Sequence, residues 1–258
     1  MATNATNAIN NQRQPLFSVR DIKKSFGVVQ ANRGISFDVY EGEILGVIGP
    51  NGCGKTTLFN CILGQLKPDS GTVKLRGQDV TGWPPTKLAT AGLGRTFQLL
   101  QVFHSMTVRE NLLTAVQAHV GTVFSRLFMR PDLGMNAQVD RVIEAFRLGH
   151  LADEDAGSLS YGQQKLLDIA MGLMASPQIM FLDEPAGGVN LGMLTDVKKR
   201  LLELNREGMT FAVIEHNMEF IFEVAHRILV IAEGQVLMVG TADEVRNDPK
   251  VIEAYLGH

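Results

Sequence analysis

The chain has 258 residues, a formal charge of −3 and 45% hydrophobic residues, enough for one large α/β domain or two small ones with a sizeable core. The slight acidic excess gives no reason to expect a nucleic-acid partner, which shows as a basic excess. Two cysteines, Cys53 and Cys61, are too few and too close for a disulfide framework or a zinc site, and they fit a reduced cytosolic compartment.

Residues 1–14 are rich in Asn, Ala and Thr and lack both the apolar core of a signal peptide and the Arg-rich amphipathicity of a transit peptide, so a disordered leader is expected before a domain over 15–258. Phe17, Val19 and Ile22 lie at near-alternate positions, and Ile35, Phe37 and Val39 alternate, which predicts antiparallel strands with one buried face. The apolar run Ile44 to Ile48 then leads into Gly49-Pro50-Asn51-Gly52-Cys53-Gly54-Lys55-Thr56-Thr57. That segment fits G-x-x-x-x-G-K-[ST] and stands where such a loop must stand, between a strand and a helix beginning near Thr56. A triphosphate needs many fixed donors, and a glycine-rich turn supplies backbone N–H groups while the helix presents its positive end. Lys55 is placed to reach the β- and γ-phosphates and the Thr56 hydroxyl to ligate Mg²⁺.

Lys67-Pro68-Asp69-Ser70-Gly71 reads as a turn before a strand over Thr72 to Leu75, and Gly94 to Phe97 as a further strand before Gln98. From Thr107 the pattern turns helical: Thr107-x-x-Glu110 is a capping box, and Val139, Val142, Ile143 and Phe146 keep the spacing of an amphipathic helix. Roughly 100–175 is therefore a candidate helical lobe inserted in the domain. Within it the stretch 121–136 carries Phe124, Leu127, Phe128 and Met129 with Arg126 and Arg130. It reads either as an extra packed helix or as a surface for a membrane subunit or lipid headgroups.

Leu159-Ser160-Tyr161-Gly162-Gln163 follows, with Ser160-x-x-Gln163 again a capping box at the start of a helix through Leu166, Ile169 and Ala170. A helix N-terminus bearing a serine hydroxyl is an anion site. Ile179 to Leu182, Phe211 to Ile214 and Ile228 to Ile231 are short apolar runs of the kind buried in a parallel sheet. The first carries Asp183-Glu184, and His216 follows the second. Leu166 to Leu182, the longest apolar candidate for a membrane span, is broken by Asp168 and Ser176-Pro177-Gln178 and reads as helix, turn and strand.

The order of phosphate loop, five-residue signature and Asp-Glu resembles the ATP-binding cassette family, the motor subunits of ABC transporters, from about Phe17 to Gly257. The resemblance implies a P-loop NTPase α/β fold with a mainly parallel core sheet, an N-terminal antiparallel β-subdomain and an inserted helical subdomain. It implies ATP and Mg²⁺ as cofactors and an ATPase activity. Asp183 is then a Mg²⁺ ligand and Glu184 the group that polarises the attacking water. Gln98 approaches Mg²⁺ and the γ-phosphate, and His216 contacts the γ-phosphate. Phe26, just before Gly27, takes the place of an aromatic residue that stacks on adenine, a core phenylalanine being the alternative. Ser160, Gly162 and Gln163 meet the ATP held by a second cassette.

Two positions depart from the family pattern. Tyr161 stands where a second glycine is common, and Asn190 where Asp is usual. Gly94-Arg95-Thr96-Phe97-Gln98, the stretch from Met106 to Asn111, Ile214-Glu215-His216-Asn217-Met218 and the ending from Val251 to Gly257 resemble the branched-chain amino acid and amide group of importers. That implies a second cassette subunit, identical or paralogous, transmembrane permease subunits, a solute-binding protein and a peripheral place on the cytoplasmic face of the plasma (inner) membrane, with no nucleic acid. An ATPase of a lipopolysaccharide-type exporter and a soluble non-transport ABC ATPase are the alternatives. The latter typically carries zinc motifs, long coiled coils or two cassettes in one chain, and none is present.

Overall fold

The computed structural model describes residues 14–96, 102–117 and 133–256. The expectations for the leader up to residue 13, for Gln98 and for most of the 121–136 stretch lie outside the described residues. In chain order the elements are β1 (Phe17–Phe26), β2 (Val29–Val39), β3 (Ile44–Ile48), α1 (Lys55–Ile62), β4 (Ser70–Leu75), β5 (Gln78–Asp79), α2 (Pro85–Thr90), β6 (Leu93–Arg95) and α3 (Val108–Gln117). They continue with α4 (Leu133–Ala145), α5 (Tyr161–Leu173), β7 (Ile179–Asp183), α6 (Leu191–Arg206), β8 (Thr210–Ile214), α7 (Met218–Val224), β9 (Arg227–Ala232), β10 (Gln235–Gly240), α8 (Ala242–Asn247) and α9 (Pro249–Leu256). They fall into two compact units, one of residues up to Pro85 and from Ala225 onward, the other Thr86–Val224.

The first unit contains an antiparallel sheet in the order β2-β1-β4-β5. Its buried face is built from the alternating residues of the sequence: Phe17 pairs with Val39, Val19 with Phe37 and Ile22 with Ile35, and all six are buried. The step of three between Val19 and Ile22 is a register shift, with Asp21 in the left-handed region at φ 48°. The same unit holds β3, buried along its whole length, paired parallel to β9, which pairs antiparallel with β10. Arg227 at the start of β9 forks onto the buried Glu43 carboxylate at 2.5 and 3.1 Å and donates to the Asp38 carbonyl at 2.8 Å, fixing that strand beside the entry to β3.

In the second unit β6, β7 and β8 pair parallel in the order β8-β7-β6, with Asp183 opposite Ile214 and Arg95 opposite Phe181. Both β7 and β8 are buried at every position, as their unbroken apolar runs require. Of the strand expected over Gly94 to Phe97, Gly94 and Arg95 lie in Leu93–Arg95 and Thr96 follows it, while Phe97 lies outside the described residues. Thr96 ends the strand because its hydroxyl takes over as acceptor: the Thr96 N–H still reaches the Phe181 carbonyl at 2.9 Å, but the Asp183 N–H points to the Thr96 Oγ1 at 3.4 Å. Thr107 and Glu110 form the expected capping box before α3, at 2.8 and 3.1 Å. Val139 and Ile143 of α4 are buried, and Phe146, just past the helix end, is buried with them. Parallel pairings thus dominate the core strands, and antiparallel pairings dominate the β1–β5 sheet.

Candidate active site residues

The first unit carries the phosphate loop, Gly49 to Thr57, between β3 and α1. Gly49 lies so close to β9 that a Cβ there would sit 2.0 Å from the Ile231 carbonyl oxygen and 2.7 Å from the Cys53 sulfur. Gly54 caps α1 in the left-handed region at φ 101°, with the Ala31 carbonyl 2.2 Å from where a Cβ would be. Lys55 is buried, and its ammonium folds back onto the loop, donating to the Gly49 carbonyl at 2.7 Å and the Pro50 carbonyl at 2.9 Å. Asn51, Gly52 and Thr56 are exposed along the same turn. Phe26, at the end of β1, is half exposed, with the Lys24 ammonium 5.6 Å from its ring centroid.

Two supports of this loop were not legible in the sequence. Asn32, buried in β2, donates from Nδ2 to the Gly54 carbonyl at 3.1 Å. Tyr255 in α9 receives a hydrogen bond from the Gly49 backbone, and burial pushes its phenol up to about 12. Each joins the loop to a residue far from it in sequence, so no local pattern marks either one.

The second unit gathers Asp183, Glu184 and His216. Asp183 ends β7, almost fully buried, with its carboxylate 3.4 Å from the Arg95 guanidinium. Burial pushes the Asp183 carboxyl above the usual carboxylate range; Arg95 opposes that shift, and the neighbouring Glu184 adds to it. Glu184 adopts φ 52°, a conformation uncommon for a non-glycine residue. It is held on every side: its N–H donates to the Ile214 carbonyl at 2.9 Å, and its own carbonyl accepts from the Gly187 N–H at 3.0 Å and from Lys165 Nζ at 3.2 Å. His216 Nε2 meets the Glu184 Oε1 at 2.9 Å. The structure thus brings together the two groups that the sequence places 32 residues apart.

Ser160 caps α5 as expected, in a full capping box with Gln163. Gly162 packs on α6, where a Cβ would meet Met193 atoms at 2.4 to 2.8 Å. The departure at Tyr161 has a structural account: its ring covers Gly188 of the turn after Glu184, within 3.0 Å of where a Cβ would be. Asn190 also has one, since its Oδ1 accepts the Met193 N–H at 3.0 Å as the N-cap of α6, a role Asn performs as well as Asp. Among the described residues no cluster of three or more His, Cys, Asp or Glu could hold a metal by itself. The Thr56 hydroxyl, in the first unit, and the Asp183 carboxylate, in the second, are each hard oxygen donors of the kind that Mg²⁺ accepts.

A glycine-lined phosphate loop, a buried strand ending in Asp-Glu and a serine-capped signature helix define a nucleotide-hydrolysing cassette. Residues 32–187 match the ABC transporter family and residues 235–258 match the branched-chain amino acid ATP-binding cassette transporter family. The chain belongs to the ABC transporter ATP-binding family, binds nucleotide and hydrolyses ATP. It is 39% identical over 251 residues to the high-affinity branched-chain amino acid transport ATP-binding protein LivG of Escherichia coli (strain K12), covering 95% of this chain and 98% of that protein. It is 38% identical, with the same coverage, to the corresponding protein BraF of Pseudomonas aeruginosa. Among solved structures it is similar to MJ1267, an ATP-binding cassette of an ABC transporter, in its ADP conformation, with a TM-score of 0.87 at 36% identity, covering 95% of this chain and all of that one.

Proposed function

We propose that this chain is the ATP-hydrolysing subunit of an importer for branched-chain amino acids, acting as one of two cassettes beneath permease subunits fed by a solute-binding protein. The match of residues 235–258 to the branched-chain amino acid cassette family carries the choice of substrate class. The printed functions of LivG and BraF support it. No helix among the described residues is long and apolar enough to cross a membrane. The place we assign the chain, peripheral on the cytoplasmic face of the inner membrane, therefore depends on its permease partners.

In this reading the phosphate-loop N–H groups and Lys55 hold the β- and γ-phosphates, with the adenine on the exposed face of Phe26. Lys55 exchanges its bonds to the Gly49 and Pro50 carbonyls for phosphate oxygens. Thr56, Asp183 and Gln98 would hold Mg²⁺, which supplies charge neutralisation on the phosphates when bound. Glu184 orients the attacking water and accepts its proton, and His216 contacts the γ-phosphate, so the 2.9 Å approach of the two side chains is the resting arrangement of the pair. Ser160, Gly162 and Gln163 address the γ-phosphate held by the other cassette. Closure of the pair on ATP drives the permease, which the helical lobe over about 100–175 contacts, and hydrolysis resets it.

Uptake measurements on the assembled transporter in vesicles test the substrate class. Leucine, isoleucine or valine should be taken up in an ATP-dependent way that Glu184→Gln abolishes. Uptake of an unrelated solute, with none of the three transported, would contradict the proposal.

A further inference from the structure

Glu215 lies between β8 and His216 and is almost fully buried, 2% exposed. Its carboxylate makes three hydrogen bonds, all to backbone N–H groups. Oε1 accepts from Ala186 at 2.5 Å, in the turn after Glu184, and Oε2 accepts from His216 at 3.0 Å and Asn217 at 3.2 Å, in its own turn. The strands β7 and β8 run parallel up to the pair Asp183 and Ile214, and the Glu184 N–H to the Ile214 carbonyl extends that link by one residue. Past that point the two turns separate, and the Glu215 carboxylate bridges them. A buried charge is retained at such a cost only with full hydrogen bonding, and three backbone donors supply it here.

We propose that Glu215 is a positioning residue for hydrolysis: by bridging the turn that follows Glu184 to the turn that presents His216, it fixes the spacing of those two side chains. The inference rests on the catalytic reading of Glu184 and His216 given above. Glu215 touches neither nucleotide nor water in this scheme and acts through the two turns. The two oxygens have different tasks, and two conservative variants each give up the one that reaches Ala186. In Glu215→Gln the remaining oxygen serves best on the side with two donors, leaving the Ala186 N–H facing an amide NH₂. In Glu215→Asp the charge is kept, but the shorter side chain serves its own turn and loses Ala186. Both variants cut the bridge while leaving most of the local structure.

The test is steady-state ATP hydrolysis by the full chain carrying Glu215→Gln, Glu215→Asp, Glu184→Gln or His216→Ala, with melting temperature and ATP affinity measured on each. Misplacing a catalytic pair by a fraction of an ångström to 1 Å costs about 10- to 100-fold in turnover. Both Glu215 variants should therefore lose about 10-fold or more in kcat with KM and ATP affinity unchanged. Adding Glu215→Gln to His216→Ala should cost little more, because one bridge partner already lacks its function. A purely structural role would instead lower the melting temperature and cost the same factor in both backgrounds, which would overturn the proposal. So would turnover within about 2-fold of wild type in both Glu215 variants. If Glu184→Gln itself turned over at the wild-type rate, the catalytic reading would fail, an outcome distinct from a normal Glu215→Gln beside an inactive Glu184→Gln.

Discussion

Lys165 and Glu184 are joined through the backbone: the buried Lys165 ammonium donates to the Glu184 carbonyl at 3.2 Å. A side chain on the signature helix thereby holds the residue whose φ of 52° needs outside support. The same ammonium lies 5.9 Å from the ring centroid of Tyr161, the residue that departs from the glycine-rich signature pattern.

Lys165→Met should lower kcat by about 10- to 100-fold, the scale of one lost charge-assisted hydrogen bond of about 1.5–3 kcal/mol. ATP affinity should be unchanged and Lys165→Arg should retain more activity than Met. Hydrolysis by Lys165→Met at the wild-type rate would show that the φ at Glu184 needs no such anchor.

Gly54→Ala should be strongly destabilising. The added Cβ meets the Ala31 carbonyl at 2.2 Å and the Asn32 amide at 2.6 Å, in a backbone conformation that L side chains rarely adopt. Strain and displacement of the loop together cost about 2–4 kcal/mol, with loss of ATP binding in whatever remains folded. Urea unfolding gives the stability directly, and a loss below about 0.5 kcal/mol would contradict the packing described around the loop.

Ser160→Arg should suppress hydrolysis while leaving the ATP affinity of the isolated chain nearly unaffected. Locally it removes the cap that accepts the Gln163 N–H at 3.4 Å, a change of about 1 kcal/mol in stability. Its effect on turnover arises because this serine addresses the nucleotide of the second cassette. Equilibrium ATP titration decides: a fall in monomer affinity as large as that of Lys55→Ala would place the signature in its own chain's site.

The Glu215 carboxyl is raised above the usual carboxylate range by burial, with the Ala186, Asn217 and His216 N–H groups opposing and Glu184 reinforcing the shift. A raised folded value means that the fold holds this proton more tightly than the unfolded chain, whose glutamate titrates near about 4.3. The stabilisation linked to it is complete below that value and is lost as pH rises through the folded one. Melting temperatures of wild type and Glu215→Gln followed from about pH 4 to 8 should therefore shift steadily in favour of Gln as pH rises. A difference moving the other way would mean that the three hydrogen bonds outweigh burial.

What the sequence made legible is what local chemistry encodes. The apolar runs at β3, β7 and β8, four or five residues long and bounded by turn residues, predict buried strands of a parallel sheet. The capping boxes at Thr107 and Ser160 are complete within four residues, and both form as read. At Thr96, just past β6, a side-chain hydroxyl rather than a backbone carbonyl accepts the Asp183 N–H, which no period reveals. Lys165, Glu215, Asn32 and Tyr255 escaped for one physical reason: each acts on backbone groups that only the fold brings near. Glu215 in particular has no sequence mark of its role, since one of its three donors, Ala186, is 29 residues away.

The assignment of Glu184 as the group that orients the attacking water is tested most directly by Glu184→Gln, which keeps the shape of the side chain and removes its capacity to accept a proton. ATP binding and ATP hydrolysis should be measured on the same preparation, beside Lys55→Ala as the variant expected to lose binding itself. The account predicts ATP affinity close to wild type, turnover reduced by at least about 100-fold and a stable ATP-bound dimer. Steady-state hydrolysis near the wild-type rate would contradict it and remove Glu184 from the reaction.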